Sequence, residues 1–467
     1  MRPKKIVLRT FIRHPIDDVF QWHLRKQTFL HGFPSWRKWV PLIAEELEAN
    51  QVRYSQKVKF GVFKWSRFKF RVLFDHQKTS IRVILEKGPF RVFHLNIELR
   101  AHSIDAVEMV ERIEYLIKMP LFFRDKRERK KELWIRNFFN YYHETLSKEL
   151  DFFGQYRKIE MKKILISGAS GMIGRNLGLF LQRMGHRVFY LTRNREDKED
   201  VVFFDDKTGE VDQSKLEGFD IVVHLRGKGI LGRWTKRRKN EMVRSRIDST
   251  KKLAHHLALL ANPPKVFLSA SAVGYYGDCG EQVVDEKSEV GAGFFLSELV
   301  NQWEAATQIL VRKNVRVVYL RFGMVLSMQG GALPDMVWPV KWGIAGSLGD
   351  GNHWQSWISL DDAVAAISHC IFSNEIAGAV NIVAPYPVRN AEMAKSIADH
   401  FNKQLGPKVP TALIRAIAGQ MGEEVLLSST RAVPSVLSNT GFRFRYPTIK
   451  EALKRLLRPL ERQSSSS

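Results

Sequence analysis

Cysteine is scarce in this chain, since only Cys279 and Cys370 occur among its 467 residues. Two cysteines cannot build the disulfide framework of a small secreted domain. Neither lies in a CxxC motif or at a Cys/His spacing that suits a structural metal. The sequence therefore predicts two reduced thiols and no metal centre.

Long apolar runs are also missing, because none approaches the roughly 20 residues that span a bilayer. The first residues, MRPKKIVLRTFIRHP, lack the apolar stretch and the cleavage site of a secretory signal. We therefore expect a cytoplasmic protein with no membrane span.

Acidic residues are outnumbered, with 49 Asp and Glu against 74 Lys and Arg and a formal net charge of +25. An excess of this size suggests nucleic acid as one candidate partner. The basic residues are spread thinly, however, and the runs at 126–131 and 236–239 accompany no nucleic-acid motif. We interpret both runs as solvated helix faces and expect no nucleic-acid partner.

The chain is too long for one ordinary core, and its pattern of polar and apolar residues changes part-way along the sequence. Short alternating runs over residues 47–110 predict an antiparallel sheet, and residues 124–150 predict a long amphipathic helix. A helix buried across such a sheet leaves a cavity between them. We predict an α+β domain over 1–152, a linker over 153–160 and a second domain from residue 161.

Aromatic residues are frequent on the predicted inner face of the first domain. They are Trp22, Trp36, Trp39, Phe70, Phe74 and Phe93. They either line a site for a hydrophobic ligand or form an ordinary core, and the sequence leaves both interpretations open.

The second domain begins with ILISGASGMIG at residues 164–174. Its apolar start predicts a buried parallel strand, and an α-helix follows over 173–184, ended by a glycine. Gly168 permits the tight turn, Gly171 lets a ligand approach the backbone, and Gly174 lets the helix pack against the strand. Because the helix N-terminus directs free N–H groups and a positive dipole end at this turn, we predict that it binds a diphosphate.

The second predicted strand, 187–192, ends about 20 residues beyond the last glycine, just before Arg193 and Asn194. An acidic residue at this place accepts the ribose hydroxyls of NAD, whereas an arginine pairs with the 2′-phosphate of NADP. Arg193 therefore favours NADP, with NAD as the alternative cofactor. A surface arginine that contacts no ligand is the other interpretation.

Many segments of the second part resemble, in order, the motifs of one family. They are GASGMIG, LTRN, VVHLRGKGI, RWT, SRIDSTKKL, SASAVGYYGD, WEAA, LRFGMVLSMQGGAL, GDGNHWQSWISLDDAV, NIVAPYPVRNAEMA and GFRFRYPTIKEAL. The family is the epimerase-like branch of the extended short-chain dehydrogenase/reductases (SDR). The resemblance covers 161–457 and implies an α/β fold: a Rossmann-like doubly wound parallel sheet over 161–386 and a small C-terminal substrate-side module over 387–457. Residues 458–467 are expected to form a flexible tail.

The first part is similar, through looser motifs, to the helix-grip (SRPBCC) ligand-binding superfamily, which includes START-like and polyketide cyclase domains. FIRHPIDDVFQW resembles its opening strand and helix, GPFRVFH one of its strands, and YHETL its closing helix. The resemblance implies a helix-grip domain over 1–152 that precedes the Rossmann-like one and binds a hydrophobic ligand.

The family also implies a dinucleotide site. The cofactor-binding residues expected from the glycine turn and from the resemblance are Gly168, Ser170, Gly171, Met172, Ile173, Gly174, Arg193, Asn194, Leu225, Arg226 and Ser269. Arg226 departs from the family, which commonly has a small residue there. It either blocks the dinucleotide or pairs with a phosphate, and we favour pairing.

SDR enzymes usually transfer a proton with a Tyr-x-x-x-Lys pair and hold the substrate oxygen with a serine. Ser271 matches that serine, but Phe295 and Leu299 stand where the pair is expected, and neither can transfer a proton. We therefore take Ser271 and Tyr275 as candidate catalytic residues. Candidates for substrate contact are Tyr276, His353 and Gln355. For these three residues and for Tyr275, the alternative is a role that only shapes a loop.

Three charged residues near these motifs have structural explanations. Glu304 follows Trp303 on a predicted helix, and Arg321 ends a predicted strand. Glu298 and Glu304 are also candidates for a general base, although for Glu304 we favour the structural role. Asp361 precedes another helix and is expected to cap it.

Two functions remain open on the sequence. One is an NADP-dependent oxidoreductase or epimerase that acts on an unknown small molecule. The other is a non-catalytic dinucleotide-binding sensor or scaffold, which the loss of the Tyr/Lys pair favours. The sequence names neither the substrate nor the oligomeric state.

Overall fold

The computed structural model describes residues 3–25, 28, 39–48, 50–60, 64–88, 90–117 and 124–457. The chain divides into two units, the first comprising the residues up to Lys158 together with Leu457, and the second spanning Ile159–Leu456. Among the residues described, no helix has both the length and the apolar character needed to cross a bilayer.

The described residues of the first unit form an antiparallel sheet and two helices. Its strands are β1 (Lys4–Ile12), β2 (Trp39–Glu48), β3 (Gln51–Phe60), β4 (Lys64–Asp75), β5 (Ser80–Lys87), β6 (Phe90–Ser103) and β7 (Ala106–Ile117), in the order β1-β7-β6-β5-β4-β3-β2. Helix α1 (Ile16–Leu24) follows β1, and α2 (Arg124–Gln155) follows β7. The sheet extends beyond the predicted 47–110 because β1 pairs with β7 as an edge strand.

Sheet and long helix share one hydrophobic core. Val72 and Ile97 from the strands belong to the same buried cluster as Ile135 from α2. The helix runs to Gln155, into the segment predicted as linker, because Phe153 still packs against this core. Of the aromatic residues predicted for the inner face, Trp36 and the side chain of Trp39 lie outside the described part of the chain. Those that the structure describes, Trp22, Phe70, Phe74 and Phe93, all belong to the core or pack against it.

A parallel sheet organises the second unit. Its strands are β8 (Lys163–Ser167), β9 (Arg187–Thr192), β10 (Val201–Phe203), β11 (Ile221–His224), β12 (Val266–Ala272), β14 (Arg316–Phe322) and β18 (Gly378–Ile382), in the order β10-β9-β8-β11-β12-β14-β18. The predicted Rossmann-like fold is confirmed. Outside this sheet, three short pairs form: β13 (Val283–Val284) with β20 (Arg431–Ala432), β15 (Met324–Leu326) with β17 (Trp357–Ser359), and β16 (Trp354–Gln355) with β19 (Val388–Arg389).

Helices and tight turns connect these strands. The α-helices are α3 (Met172–Met184), α4 (Lys236–Val243), α5 (Ser249–Ala258), α6 (Phe295–Ala305), α7 (Gln308–Val311), α8 (Leu333–Lys341), α9 (Leu360–Phe372), α10 (Asn390–His400), α11 (Thr411–Ala418), α12 (Ser435–Asn439) and α13 (Ile449–Leu456). The 3-10 turns are Gln213–Leu216 and Val273–Tyr276, and the π-helical turns are Arg244–Asp248 and Gly422–Leu427.

The winding of the parallel sheet reverses between β8 and β11. From β8 the chain proceeds outward through β9 and β10, whereas β11 leads to β12, β14 and β18 on the other side. In sheets of this kind, ligands bind at the carboxyl ends of the strands where the order reverses. The predicted diphosphate turn, which follows β8, lies at this place. Helix α3 then ends at Gly185, as predicted, with a left-handed φ of 98°.

Candidate active site

The turn between β8 and α3 has no room for side chains at two of its glycines. Gly168 has a φ of 75°, and a Cβ on it would lie 2.8 Å from the carbonyl oxygen of Leu225. A Cβ on Gly174 would lie 2.6 Å from the carbonyl oxygen of Gly168, so Gly174 packs on the turn itself and not on the strand as we predicted. At Gly171 the nearest atom to an added Cβ would be that same oxygen, at 3.2 Å.

The front of this turn is open. Ser170 and Gly171 are exposed, and the half-buried Met172 and Ile173 begin α3. Backbone N–H groups in the first turn of a helix have no intrahelical acceptor and carry the positive end of the helix dipole. The residues present therefore fit a phosphate group, which needs donors and close approach to the backbone.

Two arginines lie at the neighbouring strand ends. Arg226, just beyond β11, forms an ion pair with Asp206, with 2.6 Å between Nη2 and Oδ1. Burial lowers the pKa of Arg226, Asp206 opposes this shift, and the positive charge of Arg193 adds to it. Arg193 itself is exposed. Arg226 thus pairs with a carboxylate that the sequence interpretation overlooked, and its predicted contact with a phosphate stays a prediction.

The other residues predicted for the cofactor lie around these strand ends. Asn194 is exposed, and its carbonyl oxygen accepts a hydrogen bond from the hydroxyl of Thr192 at 2.8 Å. Leu225 donates its backbone N–H to the carbonyl of Ser167, which keeps β8 and β11 together at the turn. Ser269 is fully buried within the sheet on β12. Its hydroxyl donates to the carbonyl oxygen of Ala270 at 3.3 Å, and its predicted contact with the cofactor stays a prediction.

Ser271 belongs to a buried hydrogen-bond network. Its hydroxyl donates to Oε1 of Glu304 at 2.5 Å, and Arg321 donates from Nε and Nη2 to the two oxygens of Glu304 at 2.9 Å. All three residues are at least nine-tenths buried. Burial opposes the charge of Arg321, but the hydrogen bonds and negative charge of Glu304 outweigh it and raise the pKa of Arg321. Glu304 therefore pairs with Arg321, and its Oε1 also accepts the hydrogen of Ser271.

The two adjacent tyrosines have different surroundings. The hydroxyl of Tyr276 donates to Oδ1 of Asn381 at 2.8 Å and accepts from Nη1 of Arg321 at 3.0 Å. Burial raises its pKa to about 12. The predicted substrate contact of Tyr276 is not supported, because its hydroxyl is used inside the network. Tyr275 is half-buried, and the Arg321 guanidinium carbon lies 3.5 Å from its ring centroid.

His353 and Gln355 present polar atoms without partners. His353 is buried and Gln355, on β16, is half-buried. Within the described part of the chain, Nε2 of His353 and Oε1 of Gln355 are inaccessible to solvent and have no hydrogen-bond partner. Because buried polar groups normally have partners, these two atoms are exceptions within the second unit.

The positions of the missing Tyr/Lys pair belong to a hydrophobic cluster. Phe295 contacts Trp234 edge-on, with ring centroids 5.5 Å apart. Leu299 is buried in the same cluster, together with Met242. Apolar packing thus surrounds these two side chains, while the carboxylate of Glu424 accepts hydrogen bonds from the backbone N–H groups of Phe295 at 3.1 Å and Leu296 at 2.9 Å.

The sequence interpretation missed part of the network. It gave Glu304 and Arg321 structural explanations and overlooked Asn381. A signal existed for two of them, because Arg321 and Asn381 are paired near the carboxyl ends of β14 and β18, where ligands bind in parallel sheets.

The predicted cap of α9 is wrong. Ser359 is the N-cap residue, since its hydroxyl accepts from the backbone N–H of Asp362 at 3.0 Å. Asp361 instead forms an ion pair with Arg455 at 3.3 Å.

Comparisons with known proteins identify the second unit. A sequence profile of the NAD dependent epimerase/dehydratase family matches residues 164–382, and a profile of a domain of unknown function matches residues 409–456. An epimerase family protein of Mycobacterium bovis is 36% identical over 291 residues, which are 62% of this chain and 96% of that protein. The chain belongs to the epimerase family. An epimerase family member from Bacillus subtilis is 33% identical over 299 residues, 63% of this chain and 97% of its own.

Two solved structures extend the family comparison. A human epimerase family protein crystallised with NADPH has 30% identity and a TM-score of 0.58, over 63% of this chain and 98% of that chain. A nucleoside-diphosphate sugar epimerase from Corynebacterium glutamicum has 27% identity and a TM-score of 0.78, over 97% of this chain and 90% of that chain. The second likeness therefore includes residues of both units.

Glu304→Gln should destabilise the second unit by about 3–5 kcal/mol, because it removes the charge partner of a buried arginine. Urea unfolding followed by circular dichroism measures the change. Glu298→Gln is the matched control, since Glu298 is exposed on the same helix and its substitution should stay within about 0.5 kcal/mol. Equal effects of the two substitutions would contradict the role assigned to the buried pair.

Proposed function

We propose that this epimerase family member binds NADP(H) at residues 168–174 and acts as an oxidoreductase or epimerase on an unidentified small molecule. The observation that carries the proposal is the tight turn at the sheet reversal, where Gly168 and Gly174 have no room for a side chain and where the exposed Gly171 precedes α3. The family membership supports it, as does the human relative solved with NADPH. When bound, the dinucleotide supplies the hydride chemistry of the family.

The preference for NADP over NAD rests on Arg193. Arg193 is exposed, whereas Arg226 is already neutralised by Asp206. An arginine at the end of the second strand suits the 2′-phosphate of NADP. A carboxylate would bind the ribose diol of NAD better than an arginine does. We therefore assign the 2′-phosphate to Arg193 and treat Arg226 as a structural neighbour of the site.

On the substrate side we assign Ser271 and Tyr275 to the reacting group and His353 and Gln355 to substrate binding. Ser271 donates its hydrogen to Glu304, so its oxygen is left to accept a hydrogen bond. This arrangement favours a substrate hydroxyl over a carbonyl oxygen as the group that contacts Ser271. We assign Tyr276 an indirect role, because its hydroxyl accepts a hydrogen bond from Arg321 and so helps to position that residue.

A second candidate function is a non-catalytic dinucleotide sensor or scaffold. Phe295 and Leu299 lie in a hydrophobic cluster where the family's proton-transfer pair is expected. The network around Ser271 is also complete without a substrate, as a structural element would be.

For the first unit we propose a START-like helix-grip domain that binds a hydrophobic ligand. The long helix α2 and strands β4–β6 enclose a cavity of about 100 Å³, lined by apolar and aromatic side chains that include Phe70 and Phe93. A cavity of roughly 150 Å³ holds benzene in another protein. The space must therefore widen slightly to admit even benzene, and further for a larger ligand.

The cofactor proposal predicts that NADPH binds more tightly than NADH and that Arg193→Ala weakens only NADPH binding, by roughly tenfold or more, because a charge-assisted pair is lost. Calorimetric titration of the full chain measures both affinities. Arg195→Ala is the matched control, since Arg195 lies two residues further on but pairs with Glu210. Absence of saturation by either dinucleotide would overturn the proposal, and equal affinities would overturn the assignment of Arg193.

Ser271→Ala should lower hydride transfer by roughly tenfold or more, since it removes the contact to the reacting oxygen. The measurement follows absorbance of the dinucleotide with a panel of alcohols and NADP⁺, then of carbonyl compounds and NADPH. Ser368→Ala, on the buried face of α9, is the control. Tight dinucleotide binding with no hydride transfer across the panel would favour the sensor.

Filling the cavity should abolish binding of a small apolar probe. Benzene at about ten times its Kd should stabilise the wild-type first unit by about 1.4 kcal/mol, but not Val83→Phe, whose larger side chain occupies the space. Thermal unfolding of the full chain measures the shift. Val7→Phe adds the same volume at an exposed position of β1 and should behave like the wild type. An equal response of Val83→Phe would remove the cavity as the binding site.

A further inference from the structure

Arg246 is a buried arginine on a π-helical turn. The turn, Arg244–Asp248, interrupts the helical stretch between α4 and α5. Insertions of this type occur frequently at functional sites. Only 9% of Arg246 is exposed, and its guanidinium carbon lies 5.2 Å from the ring centroid of Trp303.

The guanidinium of Arg246 has no charge partner among the residues that the structure describes. One amino group, Nη2, donates to the carbonyl oxygen of Lys228 at 2.8 Å. The other, Nη1, is buried and has no hydrogen-bond partner in the same described residues. Burial lowers the pKa of Arg246 to about 10, so the group still carries its charge near neutral pH.

Two other buried arginines of this unit form ion pairs, Arg321 with Glu304 and Arg455 with Asp361. The half-buried Arg316 donates to three backbone carbonyls, those of Cys370, Ile371 and Ile376. A buried cation without an anion destabilises a fold, and a donor left without an acceptor adds to this. Arg246 therefore lacks a negative partner and a hydrogen-bond acceptor, and a negatively charged ligand would supply both.

The location of Arg246 indicates which end of the sheet that ligand occupies. A Cβ on Gly227 would lie 3.3 Å from the guanidinium carbon of Arg246. Gly227 follows Leu225 and Arg226 beyond β11, and the carbonyl of Leu225 is the group that packs on Gly168. Arg246 thus lies beside the loop that borders the diphosphate turn, at the carboxyl end of the sheet.

We propose that Arg246 binds an anionic group, a phosphate or a carboxylate, of a molecule held at this end of the sheet. The planar fork of arginine suits both groups, and Nη1 supplies the donors that are still free. The anion comes either from the dinucleotide or from the substrate; this choice rests on the proposed function, whereas the anion site itself does not. An acidic substrate would then be distinguished from a neutral one by Arg246.

Thermal unfolding of the full chain tests the proposal, with inorganic phosphate and acetate as probes. Without added anion, Arg246→Met should raise the melting temperature by about 2–4 °C, because it removes an uncompensated buried charge. Millimolar phosphate or acetate should raise the melting temperature of the wild type and leave Arg246→Met unchanged. Arg316→Met is the matched control: it should lower the melting temperature and keep the response to the anion.

Arg246→Lys provides a second variant, which keeps the charge but loses the fork. It should require at least threefold more phosphate for the same stabilisation. If Arg246→Met melts lower than the wild type and both variants respond to phosphate and acetate as the wild type does, Arg246 has a structural role and the proposal is wrong.

Calorimetry with NADPH distinguishes the two sources of the anion. Weaker NADPH binding by Arg246→Met assigns the site to a phosphate of the dinucleotide. Unchanged NADPH affinity, together with stabilisation of the NADPH-saturated wild type by phosphate or acetate, assigns it to the substrate. A chain that binds no dinucleotide at all would overturn the proposed function, while the phosphate response of the dinucleotide-free protein would still test Arg246.

Discussion

Close backbone packing after β8 is the constraint on which the second unit depends. The carbonyl oxygen of Leu225 occupies the space that a side chain on Gly168 would need, so the ends of β8 and β11 approach each other with only backbone between them. The same lack of a side chain at Gly174 lets α3 begin directly on the turn. The first turn of α3 consequently faces the place where the order of the strands reverses, and the open donors of that helix are directed there.

Parallel register then determines which polar side chains meet. Ser271, Arg321 and Asn381 are neighbours across three adjacent strands, β12, β14 and β18. Polar groups at the centre of a sheet need partners, and a guanidinium there also needs a negative charge. Glu304 supplies the charge from α6, and Tyr276 bridges Arg321 and Asn381. The orientation of Ser271 is thus set by buried groups of the protein itself.

The features that sequence predicted well are local ones. The glycine turn, the strand Arg187–Thr192 and the helix end at Gly185 each follow from neighbouring residues, and the order of these elements specifies a Rossmann-like sheet. The pairings in the site are not local. Asp206 meets Arg226 from a different segment, which no pattern around either residue indicates.

Two adjacent tyrosines also show that the sequence cannot assign every side chain to its surroundings. Tyr275 and Tyr276 are indistinguishable in the sequence GYYGD. The 3-10 turn Val273–Tyr276 directs one ring into the core and leaves the other half-buried, so only the backbone geometry assigns them different roles. The extent of the first sheet was underestimated for a related reason. β1 is joined to it by pairing with β7, which lies at the far end of the unit in sequence.

Two buried arginines of this site differ in whether the protein itself supplies their negative partner. Arg321 has a carboxylate that accepts two of its hydrogen bonds, so its part of the site is complete in the free protein. Arg246 has a carbonyl oxygen on one side and an unsatisfied amino group on the other. A fold tolerates such an unfavourable group where binding requires it, because natural proteins need only exceed a stability threshold. The paired Arg321 therefore fixes the geometry of the site, whereas the proposed role of Arg246 is to favour ligands with a negative charge.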